Sequence, residues 1–350
     1  MNIWQIATGD SGRNYSSIFL DYDVMILGGS KLGDARDQKY HDGVPNSEGS
    51  QINNFAFSPQ PGDRVLMRFG KKVIGVGVIP ENEEYGYSFE EAFRCVYGWD
   101  LCHCRRVIWA TSYEIRHLEN VFENMKQKPS FTAVHESSIV EMVSQIDSSR
   151  FLRNLKAMPF INSKKYSPEE LGIELFQSGI SNKNIEDIIS ALEQADRLCS
   201  WYWSDKSGRY PTENEVISHI VLPLFLGLGW SHQQIAVEWN RVDMAFFSMA
   251  PTNKNNCVMV LEAKGLGSGL GKVLKQPKNY VKNLDLNNVN YIITTDGANL
   301  FIYGQDKNGE WNDKPIAYLS VPHLQKEYIL PKDTNPVSTL VMLKPGVLQS

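Results

Sequence analysis

The chain has 350 residues, 42% hydrophobic and 11% aromatic, with 35 Lys and Arg against 40 Asp and Glu. That is enough apolar material for a sizeable core and suggests two or three domains. A formal net charge of −5 and a pI near 5.9 exclude a basic surface spread over the whole molecule, so any nucleic-acid contact has to be local.

The opening MNIWQIATGDSGRNY lacks the basic and apolar parts of a secretion signal, and no apolar run approaches the roughly 18 residues of a bilayer span. The expected setting is cytoplasmic, with no membrane partner. Five cysteines without a secretion signal predict reduced thiols. Cys95, Cys102, His103 and Cys104 crowd together, but C-x-C spacing with no second pair downstream favours packed thiols over a zinc tetrahedron.

Residues 1 to about 112 alternate short apolar runs with turn chemistry: NIWQIATG, DVMILGG, NNFAF, PGDRVLMRF, KKVIGVGVI and RRVIWAT. A β-rich domain is expected there. From about 113 to 198 the pattern turns helical. SPEE at 167–170 is a capping box with Pro168 at the first helical position, and after Ser181 the residues Ile185, Ile188, Ile189, Leu192 and Leu198 form one apolar stripe. A helical connector is the economical expectation. From about 199 to 310 a helix over TENEVISHIVLPLFLGLGW is followed by QIAVEW, VDMAFF, CVMVLEAK, a helical stretch, VNYIITTDG and LFIYG. The order α-β-β-β-α-β-β predicts a mixed α/β domain, and a turn-rich extension, 311–350, follows. The predicted fold class is therefore a multidomain α+β and α/β protein.

The apolar run VMVLEAK ends in Glu262 and Lys264, two residues apart. On a strand they share one face, while Leu261 and Ala263 take the other. A surface ion pair would contribute little. Asp243, in RVDMAFF on a neighbouring strand, adds a second carboxylate at the same edge. Two oxygen ligands with water in the remaining positions suit Mg²⁺, which polarises a phosphoryl oxygen, and a nearby lysine can orient the attacking water. This is chemistry for phosphodiester hydrolysis.

The run from Glu213 through ISHIVLPLFLGLGW, then Asp243, Glu262-Ala-Lys264 and Gln276-Pro-Lys-Asn-Tyr280, resembles the nuclease domain of type I restriction motor subunits, in the PD-(D/E)xK superfamily. The resemblance covers about a third of the chain, with Val242 where proline usually precedes the aspartate. It implies that Asp243 and Glu262 hold Mg²⁺, Lys264 serves the water, Glu213 orders the site, and Gln276 and Tyr280, on one helical face, touch DNA or brace the site. Glu215 and Glu238 are expected to be solvated. GLGSGLGK is not a phosphate loop, because Leu266 stands where the first glycine belongs and Val273 follows Lys272. Lys272, Lys275, Lys278 and Lys282, with no acidic residue between Lys264 and Lys282, offer the local basic surface for DNA.

The first 110 residues, with Trp4 in the first strand, DVMILGG, the hairpin PGDRVLMRFGKKVIGVGVI and RRVIWAT, are similar to EVE and other PUA-like domains. That similarity implies a β-barrel with an aromatic pocket for a flipped, modified base. Candidate pocket residues are Trp4, Tyr15, Phe19, Tyr22, Trp99 and Trp109, with Arg13, Arg64, Arg68, Arg105 and Arg106 for phosphates, although strand aromatics such as Trp4 and Trp109 also suit a core. The expected protein is a Mg²⁺-dependent restriction-type endonuclease, EVE-like sensor followed by nuclease, that acts on DNA as a homodimer. A nuclease for unmodified or structured DNA, and a sensor with a degenerate nuclease fold, are the alternatives.

Overall fold

Residues 1–10, 13–29, 33–37, 46–82, 86–110, 129–204 and 206–346 are described by the structure, a computed structural model. The chain divides between Ile161 and Asn162 into two units. The expected connector, 113–198, is therefore not a unit of its own. Its described part before residue 162 belongs to the first unit, while the helices Pro168–Gln177 and Asn182–Tyr202 share the core of the second. The expected boundary at 112 lies outside the described residues.

In the first unit the strands are β1 (Ile3–Ala7), the short pair β2 (Gly9–Asp10) and β3 (Arg13–Asn14), β4 (Val24–Leu27), β5 (Arg64–Phe69), β6 (Lys72–Val78), β7 (Tyr87–Phe89), β8 (His103–Arg106), β9 (Ile108–Ala110) and β10 (Phe131–Ala133). One sheet runs β10-β1-β5-β6-β9, with β1 and β5 parallel and the other pairs antiparallel; a second runs β4-β8-β7. The chain passes from one sheet to the other at Val107, between β8 and β9. Among the described residues no strand pair closes these sheets on each other, so two open sheets stand where a closed barrel was expected. The hairpin read from PGDRVLMRFGKKVIGVGVI is β5–β6.

NNFAF, expected among the strand-like runs, ends the helix Asn46–Phe57. Ile52, Phe55 and Ala56 are buried, and their i, i+3, i+4 spacing is that of one helical face. The cysteines Cys95, Cys102 and Cys104 are buried.

The second unit is built on one six-stranded sheet, ordered β11 (Ile235–Trp239), β12 (Val242–Phe247), β13 (Cys257–Ala263), β14 (Tyr291–Thr295), β15 (Asn299–Gly304) and β16 (Ala317–Ser320). Only β13–β14 is parallel. A parallel pair needs a crossover, and the helix Lys275–Asn283 supplies it. β13 is buried along its whole length, which the continuous apolar run CVMVL permits. Ser167 and Ser181 cap their helices, and Ile185, Ile188 and Leu192 bury the expected stripe. Asn182–Tyr202 packs closely on the segment after Pro223: a Cβ on Gly227 would lie 3.0 Å from the Asp187 backbone, so no larger residue fits there without a shift. The extension after 311 is not inert. Its β16 continues the sheet, and Leu340 of Pro336–Met342 and Leu343 enter the core.

Candidate active site

The four residues expected at the reactive centre come from three elements. β12 pairs with β13 through Met244 and Leu261, and one step further this register sets Asp243 beside Glu262 on the same face. The Ala263 N–H donates to Asp243 Oδ2 at 2.7 Å, fixing that carboxylate against the end of β13. Lys264 follows directly, held by its own N–H on the Thr295 carbonyl at 2.8 Å.

Glu213 arrives from the opposite direction. Thr212 caps the segment Glu213–Val216, accepting from the Glu215 N–H, while Glu215 reaches back to the Thr212 N–H. Glu215 also takes both terminal nitrogens of Arg209, at 2.7 and 2.6 Å. Glu215 is therefore a structural brace that leaves Glu213 free to face the site, and not simply a solvated residue. Beyond it the helix widens into a π turn, Ile217–Val221, before Leu222–Gly227. Pro223 lacks the N–H that a regular turn would use, and the wider turn absorbs the loss.

The Lys264 ammonium donates to Glu262 Oε1 at 2.8 Å and to the Ala263 carbonyl at 2.8 Å, and stands 3.7 Å from Glu213. Glu262 is 1% exposed, and its second oxygen, Oε2, is buried with no hydrogen-bond partner among the described residues. Such an acceptor is costly unless something completes it. Burial pushes the Glu262 carboxyl above the ordinary range, and the Asp243 charge adds to the rise. Burial likewise raises Asp243, with Glu213 and Glu238 adding to it. For Lys264, burial pulls the other way, but the three carboxylates overcome it and hold the ammonium charged.

No group of three or more His, Cys, Asp and Glu side chains among the described residues is arranged to cage a metal. Two carboxylates with one orphaned oxygen nevertheless fit an ion that keeps several waters, as Mg²⁺ does.

Gln276 and Tyr280 lie on the helix Lys275–Asn283, where the Gln276 amide donates to the Tyr280 hydroxyl at 2.9 Å. Lys272 and Lys275 are exposed. Lys278 is engaged within the chain, donating to Asp313 at 2.9 Å and to the Trp311 carbonyl at 3.2 Å, so it is not an open phosphate contact. Trp203, which no sequence motif marks, lies near the glycine loop after Lys264: a Cβ on Gly267 would lie 3.6 Å from its Nε1.

In the first unit the aromatic candidates divide. Trp4 is buried, donates to Asp63 at 2.9 Å and stacks on Phe131; Trp109 is buried, donates to the Val24 carbonyl at 3.0 Å and stacks on Phe19. Both pack the core rather than line a pocket. Tyr15 is buried against half-buried Trp99, with the Arg13 guanidinium 4.6 Å from the Trp99 ring centre. Tyr22 is half-buried on the helix Ser16–Tyr22. The arginines expected on phosphates mostly hold backbone: Arg68 on Gly70 and Pro129, Arg105 on Ala56 and Pro59, Arg106 on Asp23 and Lys156. A cavity of about 360 Å³ lies instead beside Phe57 and Tyr87, with Arg36 and Pro59 in its wall.

No family model matches the chain, and no curated protein matches it either. Among solved structures, the X-ray crystal structure of protein Atu2648 from Agrobacterium tumefaciens is similar at 15% identity over 46% of this chain and 100% of that one. Its TM-score of 0.21 is too low to carry fold or function across.

Proposed function

We propose that the chain is a metal-dependent nuclease of the PD-(D/E)xK type, hydrolysing phosphodiester bonds of DNA. The observation that carries the reading is the convergence of Glu213, Asp243 and Glu262 on Lys264, with a buried, unpartnered Glu262 oxygen. A structural ion pair has no use for a buried and a half-buried carboxylate with raised proton affinity side by side, since each makes the other harder to ionise. A site that binds a cation does.

Asp243 and Glu262 are the residues that would hold Mg²⁺, which when bound polarises a phosphoryl oxygen and eases ionisation of water. Lys264 contributes a fixed positive charge at its Nζ, oriented by Glu262, to position the attacking water and offset charge gathering on the phosphate. Glu213, half exposed, limits the swing of that ammonium from the solvent side. Lys272 and Lys275 would meet the DNA backbone beyond the glycine loop.

The first unit, read as a PUA-like sensor, would direct cleavage to DNA carrying modified bases, in a cytoplasmic defence against foreign DNA. The described residues of one chain hold one such cluster, and one cluster cuts one strand at a time, so a duplex break uses a homodimer. The test is incubation of the purified chain with matched modified and unmodified phage DNAs in Mg²⁺ and in EDTA. Cleavage in Mg²⁺, lost in EDTA and stronger on modified DNA, is the expected result; cleavage unchanged by EDTA overturns the mechanism.

A further inference from the structure

The segment from the end of Asn182–Tyr202 to Glu213 exposes three large aromatics: Trp201 at 46%, Trp203 at 41% and Tyr210 at 68%. Scattered exposed apolar residues are common, but here they fall within ten positions on the piece of chain that delivers Glu213 to Lys264. The two ends of this segment are fixed differently. At one end, Tyr202 is buried in the core and the indole edge of Trp203 lies against Gly267. At the other, Arg209 grips Glu215 and Thr212 caps the turn.

Gly267 is three residues beyond Lys264, a reach of at most about 11 Å along the chain. Its φ of +78° suits glycine, while a Cβ there would meet Trp203 Nε1 at an ordinary 3.6 Å. The indole thus stands near the strand end that carries Glu262 and Lys264, with part of its surface in solvent, and the exposed Lys272 and Lys275 follow five and eight residues after Gly267.

We infer that Trp203 is a stacking platform for an unpaired base next to the bond being cut, so that the nuclease unit engages its substrate as a single strand. Two features favour nucleic acid as the occupant. The stretch from Lys264 to Lys282, whose glycine loop lies beside the platform, carries lysines and no acidic residue, which complements phosphate. An indole face beside a phosphate track is the pairing that single-strand binding uses, because every base has a π-face and the contact therefore tolerates any sequence. In an intact duplex the bases are already stacked on one another, so Trp203 gains its partner only where a strand is open or distorted. The inference rests on the nuclease reading for the location of the scissile phosphate, but its physical content is a binding contact.

The test is binding of the full-length chain in EDTA to a labelled single-stranded oligonucleotide, the same oligonucleotide with an abasic run, and the matching duplex, read by fluorescence anisotropy. Trp203→Ala should weaken single-strand binding at least about fivefold, leave the abasic strand and the duplex within twofold, and be rescued by Trp203→Phe. Unchanged single-strand affinity, an equal loss on the abasic strand, or no single-strand binding by the wild-type chain overturns the proposal. A parallel cleavage assay in Mg²⁺ separates the two readings. A wild-type chain that never cuts but shows the Trp203 effect sinks the nuclease and keeps the platform. A wild-type chain that cuts, with Trp203→Ala binding normally, does the reverse.

Discussion

Removing the Lys264 ammonium tests stability and chemistry together. Glu262 Oε1 has Lys264 as its hydrogen-bond donor, and Oε2 has no partner among the described residues, so Lys264→Ala leaves a buried carboxylate uncompensated beside Asp243. Breaking a buried pair from one side costs about 3–5 kcal/mol, and because Lys264 is a quarter exposed the lower end, about 3 kcal/mol, applies. For a unit of this size that is a fall of about 6–12 °C in melting temperature. The pH dependence has a definite sign. Burial raises the Glu262 carboxyl in the fold, so the folded chain holds this proton more tightly than the unfolded chain does, and the stability this brings is full below the ordinary glutamate range and lost as pH rises through the folded value. Loss of the ammonium raises that folded value further. The gap between wild type and Lys264→Ala should therefore be widest near pH 8 and narrow toward pH 5, measured by thermal melting of metal-free protein across that range, while cleavage is abolished throughout. A gap that is constant with pH, or that widens toward acid, would refute the electrostatic account of the site.

Asp243→Asn keeps the acceptor for the Ala263 N–H but removes a charge that burial and Glu213 disfavour, so the metal-free protein should gain on the order of 1 kcal/mol at pH 8 while losing cleavage; destabilisation at pH 8 would count against it. Mg²⁺ should raise the melting temperature of wild type and not of Asp243→Asn, with Ca²⁺ a poor substitute in cleavage. In the first unit, Asp63 accepts from Asn2, Gln60 and the Trp4 indole, and although burial opposes it these bonds hold the carboxyl below its usual range. Asp63→Ala should cost about 3 kcal/mol at neutral pH, and the deficit should shrink as pH falls through the folded value, because the depressed carboxylate contributes its stability above the unfolded range. A chain starting at Asn162 should fold and cut but lose substrate preference, since each unit closes its own core; an insoluble product, or retained preference, would show the division of labour to be wrong.

The candidate site edge was legible because VMVLEAK breaks a rule. An apolar run that suits a buried strand should not end in two charges on one face, and the only inexpensive resolution is that they face each other, as Lys264 and Glu262 do. Ser167 and Ser181 were legible for a similar reason: helix caps are local chemistry. What the sequence withheld depends on partners far along the chain. The amphipathic stripe of Ile185, Ile188 and Leu192 announces burial but not against which unit, so the helices read as a connector belong to the second core. NNFAF is too short to show its period without Ile52 ahead of it. β16 is four residues in a stretch of turns, and only its pairing with β15 identifies it. Trp203 carries no spacing signal at all, because exposure of an aromatic is decided by what fails to cover it.

The first unit poses the sharper constraint on a base-reading role. Arg68, Arg105 and Arg106 satisfy backbone carbonyls, and turning any of them toward a phosphate would strand those acceptors at about 1–3 kcal/mol for each one left buried. Trp4 and Trp109 could enter a pocket only by leaving the hydrogen bonds and ring contacts that hold β1 and β9 in place. Recognition has to use aromatics already at the surface. Phe57 is 51% exposed, lies 6.3 Å from the Tyr87 ring, and borders the 360 Å³ cavity, while Tyr87 is pinned through its hydroxyl to the Ala35 N–H and to His103. One ring is thus fixed and the other is reachable, so the exposed Phe57 ring beside the cavity offers a face on which a flat base can stack. On the sensor reading, Phe57→Ala should leave the melting temperature within about 2 °C of wild type, a surface substitution being worth about 0.5 kcal/mol, yet reduce the preference for modified over unmodified DNA. Trp4→Phe should do the opposite, lowering stability through the lost bond to Asp63 without changing preference in the protein that remains folded. Preference that survives Phe57→Ala and Tyr87→Ala together would place recognition elsewhere in the chain.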